Sequence, residues 1–246
     1  MYKRQVARYE EETVEIPDYP VNLFFTKEGY FKKITPQSLR MSGEQKLKDG
    51  DEIIQELEFT NNCDLLFFTD KCQVYKAKAD DFAQTKASVL GDYVAAKLGF
   101  DEDENAVKMV VTKDYKGMLL FAFENGKAAK VPLESYATKT NRKKLTGAYS
   151  DKSPLVGLLY MPEDEEVLFK ASSGNMLLVH TGALALKTTR STQGVAVLKP
   201  KKGHRLFSIE RYKDGTFTNP KRYRTGSLPA RGALPVNDDS KDEQLS

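Results

Sequence analysis

A strand–turn–strand unit recurs along this chain, and recurrence at a period of tens of residues restricts the fold more than any other feature. The first copy reads Leu23-Phe24-Phe25-Thr26-Lys27-Glu28-Gly29-Tyr30-Phe31-Lys32-Lys33, and the second spans residues 65–76. The third spans residues 119–130, and the fourth is Met176-Leu177-Leu178-Val179-His180-Thr181-Gly182-Ala183-Leu184-Ala185-Leu186-Lys187. Anchored on Gly29, Cys72, Gly126 and Gly182, the spacings are 43, 54 and 56 residues. Apolar runs at residues 57–60, 109–112 and 167–170 precede the last three copies. A fifth run, Leu206-Phe207-Ser208-Ile209, leads through Lys213-Asp214-Gly215 into Thr216-Phe217. β-branched and aromatic residues between turn signals predict strands. Gly29, Asn125-Gly126 and Gly182 supply the positive φ of tight hairpins.

A unit of about 40 to 55 residues with roughly four short strands has the size of a propeller blade. One blade cannot bury both of its faces, so neighbouring blades must stack. The expectation is an all-β, β-propeller-like fold of about five blades with four-stranded antiparallel sheets. A β-sandwich is the competing arrangement. Residues 81–98 break the pattern and read as a helical turn or a long loop between blades. Residues 1–15 read as an acidic lead-in, and residues 16–225 as the domain. Residues 226–246 contain Pro229, Gly232 and Pro235 before a run of acids, which reads as a disordered acidic tail.

The formal net charge of +3 averages over segregated blocks. Nine Lys and Arg against two acids lie between Lys199 and Arg224, and residues 139–152 add five bases against one acid. Acids gather in Asp101-Glu102-Asp103-Glu104 and Glu163-Asp164-Glu165-Glu166. Such segregation points to an oriented electrostatic face, although solvated loops would give the same pattern. Metal and nucleophile chemistry find little support. Cys63 and Cys72 lack zinc-ligand spacing, and the two histidines, His180 and His204, stand far apart. Ser172-Ser173-Gly174-Asn175 reads as a hairpin turn. The sequence contains no apolar run long enough to span a bilayer and no apolar signal region after Met1. A cytoplasmic location is therefore expected.

Strand pairs of the form Leu-Phe-Phe-Thr-x-x-Gly-x-x-Lys resemble the blades of the C-terminal β-pinwheel of bacterial type IIA topoisomerase A subunits, those of gyrase and topoisomerase IV. Thr188-Thr189-Arg190-Ser191-Thr192-Gln193-Gly194-Val195-Ala196-Val197-Leu198 is similar to the family's inter-blade segment. Ile16-Pro17-Asp18-Tyr19-Pro20-Val21 fits the junction that follows the family's cleavage core. The resemblance implies a basic wheel around which double-stranded DNA bends. It implies as partners the rest of the A subunit and the ATPase B subunit, and a bacterial, nucleoid-associated setting. It implies no catalysis and no cofactor in this part of the enzyme. The glycine-rich box of gyrase wrapping is absent; the nearest basic inter-blade stretch is Thr140-Asn141-Arg142-Lys143-Lys144-Leu145-Thr146-Gly147. A propeller that scaffolds proteins without binding DNA is the alternative.

The expected DNA contacts sit at blade ends and in inter-blade loops. They are Lys32 and Lys33 after the first repeat, and Lys76 and Lys78 after the second. Arg142, Lys143 and Lys144 form a loop cluster, and Lys187 and Arg190 follow the fourth repeat. Lys199, Lys201, Lys202 and Arg205 make another cluster beside His204, and Lys221, Arg222 and Arg224 close the series. Phosphate contacts of this kind accumulate along a curved track and carry little base information.

Overall fold

The computed structural model describes residues 15–138, 142–236 and 239. The expected lead-in up to residue 14, and residues 237, 238 and 240–246 of the expected tail, lie outside the described residues. In chain order the strands are β1 (Pro20–Thr26), β2 (Tyr30–Ile34), β3 (Ile53–Thr60), β4 (Asp64–Thr69), β5 (Val74–Lys78), β6 (Asp92–Tyr93), β7 (Ala106–Thr112) and β8 (Met118–Phe123). They continue as β9 (Lys127–Pro132), β10 (Lys144–Leu145), β11 (Leu155–Met161), β12 (Glu166–Ala171), β13 (Met176–His180), β14 (Val195–Ala196) and β15 (Leu206–Arg211). Two short helices, α1 (Pro36–Met41) and α2 (Val94–Leu98), complete the regular structure with single 3₁₀ turns. Among the described residues no helix is long and apolar enough to cross a membrane.

The strands form four antiparallel sheets, ordered β3-β1-β2-β6, β10-β5-β4-β7, β11-β8-β9-β14 and β13-β12-β15. Each sheet is one blade, and one rule builds them. A hairpin makes the centre, and the next long strand pairs with the hairpin's first arm. A two-residue strand then returns from beyond the following hairpin to pair with the second arm. Each of the first three blades is thus finished by chain that has already built its neighbour, whereas the fourth sheet has three strands and not the four expected.

The unbroken apolar runs follow from this stacking. Side chains alternate across a strand, and a central hairpin between two neighbours must give an apolar face to each. Val21, Leu23 and Phe25 of β1 share a core with Leu65 and Phe67 of β4. Leu66 and Phe68 of β4 point the other way and join Leu119, Phe121 and Phe123 of β8. Leu120 and Ala122 of β8 meet Val167 and Phe169 of β12. Two further clusters cap the ends. Phe24, Ile34 and Ala87 lie under Leu39 and Ile53 on blade 1, and Leu168, Met176 and Leu178 lie under Phe217 and Tyr223 on blade 4. None of these clusters contains residues of both blade 1 and blade 4, so the described residues form an open series.

The blade count is four, against about five expected, because the run at residues 206–209 supplies β15, which pairs with β12 inside the fourth blade. The fourth repeat is also displaced. Its hairpin is β12–β13 and its turn glycine is Gly174 at φ 82, alongside Gly29, Cys72 and Gly126 at 87, 55 and 81. Gly182 lies in a 3₁₀ turn. Beyond Gly226 the chain is not detached. Ala233 exchanges both backbone hydrogen bonds with Met176 at 2.9 and 2.8 Å, and Ala230 pairs with Val197 and Lys199.

A lysine, buried in the first and third cases and half-buried in the second, crosses each joint between blades. It stands four residues after the turn anchor, as Lys33, Lys76 and Lys130. Lys33 Nζ donates to Asn61 Oδ1 at 2.6 Å and to the carbonyl of Ala79 at 2.8 Å. Lys76 Nζ donates to the carbonyl of Tyr136 at 3.0 Å and to Thr138 Oγ1 at 3.1 Å. Lys130 Nζ donates to the carbonyl of Thr181 and to Asp164 Oδ1, both at 2.9 Å. Ala79, Tyr136 and Thr181 all belong to the 3₁₀ turn after the next blade's hairpin. The fourth blade has Leu178 at this place, and among the described residues no further blade follows it.

The hydrogen bond from Lys130 holds the Asp164 carboxyl below its ordinary value. A depressed carboxyl stabilises the fold above its unfolded pKa, about 4, and this contribution is lost as pH falls through the folded value. Urea midpoints measured between pH 7 and pH 3 are expected to fall less in Lys130→Met than in the wild type. Equal slopes would assign Asp164 no part in the joint.

Candidate nucleic-acid interface

The strands that follow each hairpin converge on one another. Gln55 of β3 and Met109 of β7 exchange hydrogen bonds at 2.8 and 2.7 Å. A groove is lined by Val107 and Lys108 of β7, residues of β11, and Ile209 of β15. This edge is the axis of the series, and the opposite edge, with the returning strands β6, β10 and β14, is the rim. Close approach there demands glycine. Gly194 enters β14 at φ +72, and a Cβ on it would lie 1.9 Å from the carbonyl oxygen of Ala128.

At the rim the residue four places after each turn anchor is bonded through its backbone to the returning chain, by its carbonyl in blades 1 and 3 and by its N–H in blades 2 and 4. Thr85 N–H donates to the Lys33 carbonyl and Lys187 N–H to the Lys130 carbonyl, each at 2.8 Å. Lys76 N–H donates to the Lys143 carbonyl at 2.7 Å, and Leu178 N–H to the Tyr223 carbonyl at 2.8 Å. Around these four equivalent points stand Lys86, then Arg142, Lys143 and Lys144, then Lys187 and Arg190, then Lys221, Arg222 and Arg224. Lys86, Arg142, Lys143, Lys187, Lys221, Arg222 and Arg224 are exposed. Three clusters distant in sequence thus occupy one structural position on successive blades.

The expected contacts fall into distinct groups. Lys32 and Lys33 are 1% and 2% exposed, which removes them from any external surface. Lys32 Nζ is spent on Gln45 Oε1, the Lys46 carbonyl and the Ala87 carbonyl at 2.8 to 3.0 Å, holding two loops against blade 1. Burial pushes both ammonium groups below the ordinary lysine range, and it does the same to half-buried Lys76. Lys78 is exposed but bonded to Asp64. Arg190 is half-buried; it donates to the Ser135 carbonyl at 3.0 Å and lies over the Tyr136 ring. Lys199, Lys201, Lys202 and Arg205 are exposed in the loop between β14 and β15, on the side of the hairpin turns.

Two rim cations are paired with acids of the clustered runs, and off the rim Arg205 has an acid neighbour in Glu124. Lys144 reaches Asp101 at 2.6 Å, and that hydrogen bond raises its pKa. Arg224 makes two bonds to the Glu166 carboxylate, both at 2.7 Å, which hold Glu166 below the ordinary range. Arg205 lies 3.4 Å from Glu124. The acid runs are therefore more than solvated turns. Glu104 is 4% exposed and accepts from Thr69 Oγ1, from Gln73 Nε2 at 2.9 Å and from Tyr75 Oη at 2.8 Å.

Sequence reading missed Lys86 and Arg231. Arg231 stands next to Ala230, whose carbonyl accepts from Lys199 N–H at 2.8 Å, so it joins the 199–205 cluster. The available signal was the glycine that follows it. Arg231-Gly232-Ala233 repeats the place of Gln193-Gly194-Val195, one step before a returning strand.

No family model matches the chain. The A subunit of DNA topoisomerase 4 from Staphylococcus epidermidis is 26% identical over 180 residues, covering 71% of this chain and 22% of the relative. The Staphylococcus aureus subunit is 25% identical over 181 residues, with the same coverage. The chain therefore spans about a fifth of the length of these curated relatives. Among solved structures, the C-terminal domain of DNA topoisomerase IV superposes with a TM-score of 0.70 at 24% identity, covering 81% of this chain and 63% of that one. The DNA gyrase A C-terminal domain gives 0.58 at 18% identity, covering 89% and 76%. In sequence and in fold, this chain is a homologue of the type IIA topoisomerase A subunits and carries the β-pinwheel of their C-terminal domain.

Proposed function

We propose that this chain binds double-stranded DNA along its rim by the phosphate backbone, bends it, and presents it to the strand-passage core of an ATP-dependent type IIA topoisomerase. It would do so as a non-catalytic domain, beside the rest of the A subunit and the ATPase B subunit. One observation carries the reading: Lys143, Lys187 and Arg224 lie at or beside equivalent backbone positions on three successive blades. Cations repeated at a structural period suit a polymer of evenly spaced phosphates better than a compact ligand. Bending a site of 20–30 base pairs costs about 1–6 kcal/mol in smooth elastic terms, which several phosphate contacts on a stacked scaffold can offset. Lys32 and Lys33 have no part in this.

Anisotropy titrations of a labelled duplex over a range of salt test the proposal. Binding is expected to weaken linearly in log–log form, with a slope of about −0.9 per phosphate neutralised. Replacing Arg142, Lys143 and Lys144 together by Ala is expected to flatten that slope and weaken unrelated duplexes alike. Binding indifferent to salt, or a loss confined to one sequence, would defeat phosphate readout.

A further inference from the structure

We propose that residues 217–236 act as an end cap, which terminates the blade series and keeps a second copy of this chain from stacking on the fourth blade. The three internal joints share one construction: an apolar face on alternate hairpin residues, and a lysine reaching into the next blade. The fourth blade carries the same kind of face, in Leu168, Met176 and Leu178. Its lysine place, however, is filled by Leu178, so the face has an apolar centre and nothing to offer the 3₁₀ turn of a further blade. A repeat series with such a face needs a cap.

The segment supplies that cap from two directions. Phe217 and Tyr223 cover the apolar face, with ring centroids 4.4 Å apart, and Tyr212 stacks on Phe217 at 5.7 Å. Ala233 pairs with Met176 as Val195 pairs with Ala128 in blade 3. It therefore fills the returning-strand position without an intervening hairpin. Tyr223 Oη donates to Asp239 Oδ2 at 2.6 Å and pins the outer side. Side-chain bonds from Arg224 to Glu166 and from Asn175 to the Gly232 carbonyl add to this, but the backbone attachment is light. Besides the Met176–Ala233 pair, isolated bridges join Leu178 to Arg224 and Leu198 to Ala230. A large apolar face closed by a strap with so few backbone bonds can open locally while the other joints stay shut. The neighbour it would then accept is a face of the same kind, which a second copy presents about a two-fold axis.

Gly232→Val tests this in the full chain. Gly232 has φ +72, and a Cβ there would sit 2.3 Å from the Met176 carbonyl oxygen, so the substitution pushes the strap off β13 without entering the core. Tyr223→Ser loosens the cap from the other side. In both variants, hydrogen exchange of the β13 amides is expected to speed up at least ten-fold, with β1 to β9 unchanged. Sedimentation is expected to shift from one chain to two as concentration rises. The proposal falls if β13 protection is unchanged, or if protection drops equally in all four blades. It falls too if the opened variants remain single chains, or if the wild type already pairs to the same degree. None of these readouts involves DNA, so failure of the proposed function leaves them standing.

Discussion

Lys33→Met is expected to lower the stability of the folded chain by about 2–4 kcal/mol, while the molecules that remain folded keep their DNA affinity. Methionine fills a similar volume but donates nothing. Asn61 Oδ1 would lose its donor in a buried site, where an unsatisfied polar group costs about 1–3 kcal/mol, and the Ala79 carbonyl would lose one of two donors, keeping Phe82 N–H at 3.1 Å, at about 0.5–1.5 kcal/mol for the lost bond. Relief from burying an ammonium group offsets part of this, since burial already holds Lys33 below the ordinary lysine range. The thermal midpoint of a domain this size would fall by roughly 4–15 °C. The same exchange at Lys76 is expected to cost less, because that side chain is only half-buried. Urea denaturation paired with duplex titration at a temperature where both proteins are folded decides the matter. An unchanged midpoint with weakened DNA binding would return Lys33 to the surface role that its sequence position suggests.

That contrast shows what the sequence could and could not disclose. The hairpins were legible because turn anchors and apolar runs recur at nearly constant offsets, and their type follows from local chemistry. The fate of a lysine at the end of a hairpin was not. Lys33 and Lys143 are both cations beside other cations, and only the neighbouring blade makes one of them internal. A cue existed: Lys33, Lys76 and Lys130 recur at one offset directly after core residues of the hairpin's second strand. Such recurrence points to a packing duty shared by the joints. The fourth hairpin was misplaced because β12 ends in Lys170-Ala171 where the first two copies have Phe-Thr, leaving Gly182 as the more visible anchor. β11 escaped notice because Gly157 interrupts its apolar run; there a Cβ would lie 2.5 Å from Ile209 Cγ1. The strap at residues 224–234 resembles a linker in composition, and its order comes from pairing with β13 and with residues 197–199.

Replacing Lys143, Lys187 and Arg224 together by Ala is expected to weaken duplex binding by roughly 500-fold at 0.1 M salt, taking about an eight-fold loss for each phosphate contact given up. These residues come from three loops far apart in sequence, and none belongs to an apolar core. Lys143 and Lys187 are exposed and make no ion pair among the described residues. Arg224 is held by Glu166 in an exposed pair, a class that contributes little to stability, so the variant should unfold near the wild-type midpoint. The salt slope is expected to become shallower by about 2.7, the sum for three released counterions. A matched control exchanges three cations away from the rim, Lys27, Lys113 and Lys116, whose partners Glu52, Asp18 and Asp114 lie at blade ends. It removes the same net charge, so uniform attraction to a basic protein would weaken both triple variants alike. A continuous rim track predicts a large loss in the first and a small one in the second. Equal losses would mean that DNA follows the overall field of the molecule and not the line on which the fold sets these three residues.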